Sequence, residues 1–94
     1  ILLLFHAHKI EVECDTLEQV KEAVDVKADI IMLDNMSVDT MRKAVEIINH
    51  KAIVEASGNV NLETVNAIAS TGVDIISSSA IVAKAPTLDL GLDI

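Results

Sequence analysis

The chain has 94 residues, of which 51% are apolar, and its formal net charge is −8. This length allows one small domain, and an acidic surface argues against nucleic acid or an anionic membrane as a partner. The apolar residues are mostly Ile, Val, Leu and Ala with a single aromatic residue, a composition that suits parallel strands and disfavours base-stacking surfaces. No segment reaches the ~20 apolar residues that span a bilayer.

The first eight residues combine a short apolar run with two histidines. Residues 1–5 are too few, and lack the basic flank, for a secretory leader. His6 and His8 form a conceivable metal pair, but further ligands have no obvious source, so we interpret them as structural. The chain starts without Met in the middle of an apolar run, and we expect it to be part of a longer protein.

Four apolar runs predict four parallel strands, separated by three helices. Periodic apolar positions between the runs indicate amphipathic helices, and strands alternating with helices indicate βα units with right-handed crossovers. The first strand is followed by the only cysteine, Cys14, which excludes an internal disulfide and fits a reducing, cytoplasmic location. We interpret Cys14 as a small core or rim residue and not as a nucleophile. The strands are predicted at residues 10–13, 30–33, 53–55 and 75–77.

Helix starts are marked more clearly than helix ends. Thr16 with Gln19 has the form of a capping box, and Ser37 is the second predicted N-cap. Asn61 is predicted to begin the third helix, with Leu62, Val65, Ile68 and Ala69 facing inward. A glycine stop is present only at Gly72, after the third helix. The tail, residues 85–94, alternates leucine with Asp or Gly, which favours an extended segment.

Polar residues follow each predicted strand. They are Glu13, Asp34, Ser57 and Ser79, at steps of 21, 23 and 22 residues. The carboxyl ends of parallel strands meet at one edge, where α/β barrels place their chemistry. We therefore expect Glu13 and Asp34 at matching positions, able to bind Mg²⁺, orient sugar hydroxyls or stabilise positive charge at a sugar carbon. The alternative is that both are solvated rim residues or helix caps.

The segment Ser57-Gly58-Asn59 predicts a phosphate site. Glycine permits close approach of the backbone, and a following helix presents free N–H groups. Ser78 and Ser79 end the next strand, and loops after two successive late strands often share one phosphate in barrels. The alternative is an ordinary βα turn.

These motifs together resemble the C-terminal part of the quinolinate phosphoribosyltransferases, the decarboxylating nicotinate-nucleotide pyrophosphorylases of NAD synthesis. A related type II phosphoribosyltransferase associated with molybdenum-transport operons is the competing family. The resemblance covers residues from about 8 to 94 and rests on residues 9–13 (KIEVE), 28–37 (ADIIMLDNMS), 54–59 (VEASGN), 71–77 (TGVDIIS), 85–86 (AP) and 88–89 (LD).

The resemblance implies a fold, a reaction and roles for several residues. The family fold is an α/β sandwich followed by an incomplete α/β barrel, assembled as a dimer, and residues 1–94 would be the C-terminal part of that barrel without its first strands. The reaction converts quinolinate and phosphoribosyl pyrophosphate to nicotinate mononucleotide, pyrophosphate and CO₂ with Mg²⁺. Glu13 and Asp34 would face the ribose and the metal. The 5′-phosphate would be held by Ser57, Gly58, Asn59, Ser78 and Ser79.

The chain also departs from the family pattern. Asn59 replaces a second glycine, Ser79 stands near a family glycine, and Val82-Ala83 replaces a Thr-His pair. Lys27 and His50 occupy positions of helix-ending glycines. The family's Arg, Lys and His cluster for quinolinate lies outside this chain, which has one Arg. We therefore expect the chain alone to be inactive and to self-associate through open strand edges and an exposed apolar face. The alternative is a remnant βα module that is only a folded or oligomerising fragment.

Overall fold

The six strands described by our computed structural model form one mixed sheet, and they lie in chain order across it. The model describes the backbone of residues 2–6 and 82–84 and all atoms of residues 9–58 and 60–78. The strands are β1 (Leu2–His6), β2 (Lys9–Cys14), β3 (Ile30–Asp34), β4 (Ile53–Ser57), β5 (Ile75–Ser77) and β6 (Val82–Lys84).

The four central strands, β2 to β5, are parallel, as the sequence predicts. Two further strands flank them. β1 pairs antiparallel with β2, and β6 pairs antiparallel with β5. Within the described residues, β1 and β6 are therefore the two edge strands of the sheet, and the parallel strands lie between them. Hydrophobic periodicity did not predict either flanking strand, because β1 is a nearly continuous apolar run and β6 is only three residues long.

Three helices connect the parallel strands: α1 (Leu17–Asp25), α2 (Val38–Ile48) and α3 (Val65–Ala69). The side chains of Thr16 and Ser37 accept hydrogen bonds from the backbone N–H groups of Gln19 and Thr40, both at 3.2 Å, so the two predicted N-caps are confirmed. None of the described helices is long and apolar enough to cross a membrane.

The start of the third helix differs from the prediction. The Asn61 side chain accepts hydrogen bonds from the backbone N–H groups of Glu63 at 2.8 Å and Thr64 at 3.0 Å. This side-chain turn occupies the residues that were expected to form the first helical turn. Consequently α3 begins at Val65, and the prediction that Leu62 faces inward is wrong, because that side chain is 71% exposed.

All three helices pack on one face of the sheet. Alternate strand residues such as Val12, Ile31, Leu33 and Ile76 are fully buried and join the apolar stripes of the helices in one core. The opposite face, which we call the open face, carries the intervening residues, and no described helix packs on it. These residues are half-buried or exposed: Glu11, Glu13, Ile30, Met32, Asp34, Ile53, Glu55, Ser57, Ile75 and Ser77.

The ends of the first two helices use left-handed residues that are not glycine. Lys27 has φ +59°, and the N–H of Ala28 donates to the carbonyl of Ala23 at 3.1 Å, which together form a Schellman motif at the end of α1. Asn49 and His50 end α2 with φ values of +47° and +63°. Lys27 and His50, which occupy the positions of helix-ending glycines in the family pattern, thus keep the left-handed backbone without being glycine.

Two aspartates repeat one structural role at the amino ends of the strands. The Asp29 carboxylate accepts a hydrogen bond from the N–H of Ile10 at 2.8 Å, and the Asp74 carboxylate accepts one from Val54 at 2.9 Å. Each aspartate precedes a strand and holds the strand that comes before it in the sheet. These hydrogen bonds lie at the amino ends of the strands, whereas the candidate site residues lie at the carboxyl ends. We therefore assign both carboxylates to the fold.

Candidate active site

Two rows of open-face residues lie at the carboxyl ends of the parallel strands. The upper row consists of Asp34, Ser57 and Ser77, which are in register across β3, β4 and β5. The lower row, two residues earlier on each strand, consists of Glu13, Met32, Glu55 and Ile75. Side chains in one row point to the same side of a sheet, with neighbouring strands ~4.8 Å apart.

The register corrects one prediction. Glu13 is opposite Met32, so Asp34 lies two residues beyond it rather than at a matching position. Nearly equal spacing along the chain did not fix the register, because each spacing includes loop and helix lengths that vary between βα units. Glu13 and Asp34 nevertheless point to the same side of neighbouring strands. The first is half-buried and the second is exposed.

The loops after β3 and β4 meet at Gly58. The backbone N–H of Asn35 donates to the carbonyl of Ser57 at 3.0 Å. Gly58 has φ +92°, and a Cβ atom at this position would collide with the amide oxygen of the Asn35 side chain. Asn35 itself is left-handed, with φ +54°. Residues 34–35 and 57–58, identified separately as sequence motifs, therefore form one interlocked junction at the strand ends.

Glu55 is a candidate site residue that the sequence analysis missed. It lies on the open face of β4, two residues before Ser57, and its carboxylate accepts a hydrogen bond from the Ser77 hydroxyl at 2.7 Å. The alternation of Ile53, Glu55 and Ser57 along one strand was the available indication, since these residues must share a face. The predictions considered the polar residues at the strand ends, whereas Glu55 lies inside a strand.

The remaining predicted phosphate residues are only partly described. Ser78 follows β5 and is half-buried. Asn59 and Ser79 lie outside the described residues, as do His8 and the tail 85–94, and the predictions about them remain predictions. Among the serines near the end of β5, Ser77 is the one in register with Ser57.

A small cavity of about 180 Å³ lies behind the junction, on the helix side. Its lining is mainly apolar and includes the side chains of Val38 and Met41 from α2 and Ile68 from α3. A cavity of this composition offers few partners to a charged ligand. Asn35, Ser57 and Gly58 of the junction also line the cavity, so it adjoins the residues predicted to bind phosphate.

The described cations lie away from the carboxyl ends of the parallel strands, where the candidate site is. Arg42 on α2 donates from its guanidinium to the Ser70 hydroxyl at 3.0 Å, and so connects α2 with the end of α3. Lys27 and Lys51 precede β3 and β4 and therefore lie near the amino ends of these strands, opposite to the candidate site. Within the described side chains, the open face near the strand ends is therefore acidic, with Glu13, Asp34 and Glu55.

The described residues do not form a complete metal site of their own. No group of three or more His, Cys, Asp or Glu side chains among them is close enough to hold an ion. Mg²⁺, however, commonly binds proteins through one or two carboxylates and completes its shell with water and substrate phosphates. The oxygen donors of Glu13 and Asp34 fit that mode of binding.

Cys14 belongs to the core and not to the site. Its side chain is 1% exposed and packs on the helix face of β2. Burial raises the pKa of the thiol to about 11, since the charged thiolate is disfavoured away from water. A thiol with so high a pKa is a poor nucleophile at neutral pH. The interpretation of Cys14 as a core residue is confirmed.

The fold and the candidate site define a class of protein. Consecutive parallel βα units with polar groups at the carboxyl ends of their strands are typical of α/β enzyme domains that bind ligands at that edge.

Comparisons with known proteins identify the family within that class. The family described as "Quinolinate phosphoribosyl transferase, C-terminal domain" matches residues 3–93. A probable nicotinate-nucleotide pyrophosphorylase of Synechocystis is 54% identical over 88 residues, which cover 90% of this chain and 30% of that protein. A chloroplastic nicotinate-nucleotide pyrophosphorylase of Arabidopsis thaliana is 42% identical over 100 aligned residues, which cover 90% and 29%.

Solved structures agree with the sequence relatives. A nicotinate-nucleotide pyrophosphorylase from Ehrlichia chaffeensis has a TM-score of 0.72 and 47% identity, and the match covers 77% of this chain and 26% of that one. The enzyme of the same name from Francisella tularensis has a TM-score of 0.71 and 46% identity, covering 74% and 25%. The chain therefore belongs to the quinolinate phosphoribosyltransferase family, as its motifs suggested, and it spans about three tenths of the length of the curated relatives that it matches.

Proposed function

We propose that this chain is the ribose- and phosphate-binding part of a quinolinate phosphoribosyltransferase. The full reaction takes quinolinate and phosphoribosyl pyrophosphate to nicotinate mononucleotide, pyrophosphate and CO₂. The observation that carries the proposal is the junction at Gly58, where two loops meet beside a carboxylate and two serines at the strand ends. Family membership supplies the reaction, and the junction supplies a place for the sugar phosphate.

Each part of the junction suits one part of a sugar phosphate. Gly58 adopts a left-handed turn at φ +92° that a residue with a side chain disfavours, and Ser57 adds a hydroxyl, so the phosphate is assigned to these residues with Asn59, Ser78 and Ser79. Glu13 and Asp34 accept hydrogen bonds from ribose hydroxyls. Their negative charge also favours the positive charge that develops at the sugar carbon as pyrophosphate leaves.

Glu13 and Asp34 are also the residues that would hold Mg²⁺, directly or through water. When bound, Mg²⁺ supplies positive charge that offsets the charge of the pyrophosphate group. The protein's own contribution is to place two carboxylates on neighbouring strands, beside the phosphate-binding loops.

The charge of the chain implies that this is half of an active site. Quinolinate is a dianion, and the described cations lie away from the strand ends. With a net charge of −8 and a single Arg, the chain lacks the groups to bind both substrates. The cationic groups therefore come from elsewhere in the complete enzyme.

We further propose that the chain works as a dimer or higher oligomer in the cytoplasm. A reducing location suits a protein with one buried free thiol.

A ligand titration and an activity assay test the proposal together. In ¹⁵N-labelled chain, ribose 5-phosphate should shift the amide resonances of Asp34, Ser57, Gly58 and Ser77. The same chain should form no detectable nicotinate mononucleotide from quinolinate, phosphoribosyl pyrophosphate and Mg²⁺. Absence of shifts at these four amides would favour the alternative, a folded module without ligand binding. Formation of product would show that the chain carries a complete active site.

A further inference from the structure

We propose that Ser77 and Glu55 form a pair that binds a sugar hydroxyl and not a phosphate oxygen. This inference rests on the proposed function and refines it. The sequence assigned the serines after β5 to the phosphate. The hydrogen bonding of Ser77 points to a different ligand group.

The geometry of the pair is the first step. Ser77 lies in the upper row with Ser57 and Asp34, and Glu55 lies one row lower on the neighbouring strand. The Ser77 hydroxyl donates to Oε2 of Glu55 at 2.7 Å, and both side chains are half-buried. Hydrogen bonds to a charged acceptor at this distance are stronger than those between neutral groups.

The chemistry of a hydroxyl is the second step. A serine hydroxyl has one hydrogen to donate and two lone pairs to accept with. Because Glu55 takes the hydrogen, the Ser77 oxygen is left as an acceptor. The oxygens of an ionised phosphate are acceptors as well and offer it no hydrogen. A ribose hydroxyl can donate to Ser77, and its own oxygen remains open to other groups.

The assignment of Ser77 follows from these two steps. The Glu55 carboxylate holds the Ser77 oxygen ready for a donor. Ser77 then takes a sugar hydroxyl, and the phosphate is left to Ser57 and Gly58. Glu55 acts through Ser77 and is a positioning residue.

The test compares ribose 5-phosphate with inorganic phosphate on the same chain. The quantity measured is the dissociation constant of inorganic phosphate divided by that of ribose 5-phosphate, both obtained by NMR titration. This ratio reports how much the sugar adds to binding. Ser77→Ala and Glu55→Ala should each reduce this ratio about 3- to 10-fold, the value of one hydrogen bond, with little change for inorganic phosphate. Ser77→Thr keeps the hydroxyl and should keep the ratio. Ser70→Ala, which removes a hydroxyl bonded to the Ala67 carbonyl on the helix side, is the matched control and should leave the ratio unchanged.

The outcomes separate this inference from the proposed function. If the chain prefers ribose 5-phosphate but the Ser77 and Glu55 variants keep the full ratio, the pair is structural and only this inference fails. If the unaltered chain binds ribose 5-phosphate no more tightly than phosphate, both fail. Urea unfolding of each variant shows whether it is folded. Should Ser77→Ala be unfolded, Glu55→Gln gives the same test, since a neutral acceptor holds the hydroxyl less strongly and should lower the ratio.

Discussion

The Asn35 side chain occupies the space that a side chain at Gly58 would need, and this makes the junction sensitive to a single methyl group. A Cβ at Gly58 would collide with the Asn35 amide, and the backbone there, at φ +92°, is unfavourable for any residue with a side chain. The LDN and SG motifs therefore depend on one another sterically, although they are separated by a helix.

We expect Gly58→Ala to destabilise the chain by about 2 kcal/mol and to abolish ribose 5-phosphate binding. Backbone strain of this kind costs on the order of 1–3 kcal/mol. Gly72→Ala is the matched control, because Gly72 has φ +97° and its added Cβ would meet Val45 at 3.1 Å, away from the site. That variant should lose stability yet still bind. Asn35→Ala removes the amide but keeps the Cβ atom, so the double variant with Gly58→Ala should lose less stability than the sum of the two single losses in a urea unfolding series. Strictly additive losses would contradict the steric coupling.

Ionisation of Cys14 should lower the stability of the chain at alkaline pH. The folded thiol has a pKa of about 11 because of burial, whereas an unfolded thiol has a pKa near ~8.5. The stabilisation is therefore fully present below pH ~8.5 and is lost as pH rises towards 11.

We expect the free energy of unfolding to fall by about 1–2 kcal/mol between pH 7.5 and 10, from this group, in urea titrations. Cys14→Ala lowers stability at every pH by leaving a cavity, but it should remove this part of the pH dependence. The comparison of the two slopes isolates the thiol. Equal slopes in the two proteins would mean that the thiol ionises as readily in the folded chain as in the unfolded one.

At the scale of the helices, α1 ends in a motif that normally requires glycine. Lys27 holds the left-handed position of a Schellman motif at φ +59°. We expect Lys27→Gly to raise the free energy of unfolding by about 0.5–1 kcal/mol, because relief of left-handed strain exceeds the entropy that glycine adds to the unfolded chain. His50→Gly, at φ +63°, should behave alike.

Lys51→Gly is the control for these two variants. Lys51 is exposed and is not among the described residues with positive φ, so glycine there only increases the entropy of the unfolded chain. Its free energy of unfolding should fall slightly. A loss of stability in Lys27→Gly as well would show that the left-handed end of α1 carries no strain.

The same elements explain how far the sequence alone could lead. The caps at Thr16 and Ser37 and the four parallel strands follow from local patterns, and they were predicted correctly. The register is not local. It depends on how each helix packs, so Asp34 was placed level with Glu13 when it is level with Ser57. The contact of Glu55 with Ser77 spans 22 residues and required the register to be known.

At the scale of the whole molecule, the described residues give the sheet one face packed by helices and one open face. Apolar and acidic side chains are mixed on the open face: Met32 and Ile75 are half-buried, Ile53 is 38% exposed, and Glu13 and Glu55 lie among them. Burying such apolar area is favourable at roughly 25 cal/mol per Å². The net charge of −8 opposes association between copies.

We therefore expect the chain to self-associate at micromolar concentration, and more strongly at 0.5 M salt, where the Debye length falls to a few ångströms and repulsion is screened. Sedimentation velocity should show species larger than the 10.1 kDa monomer. Ile53→Glu adds a charge to the open face and should shift the distribution towards monomer. Leu62→Glu adds the same charge in the turn before α3, outside the open face and at a residue already 71% exposed, and should not. A sharp monomer for the unaltered chain, or equal effects of the two substitutions, would mean that the open face does not drive association.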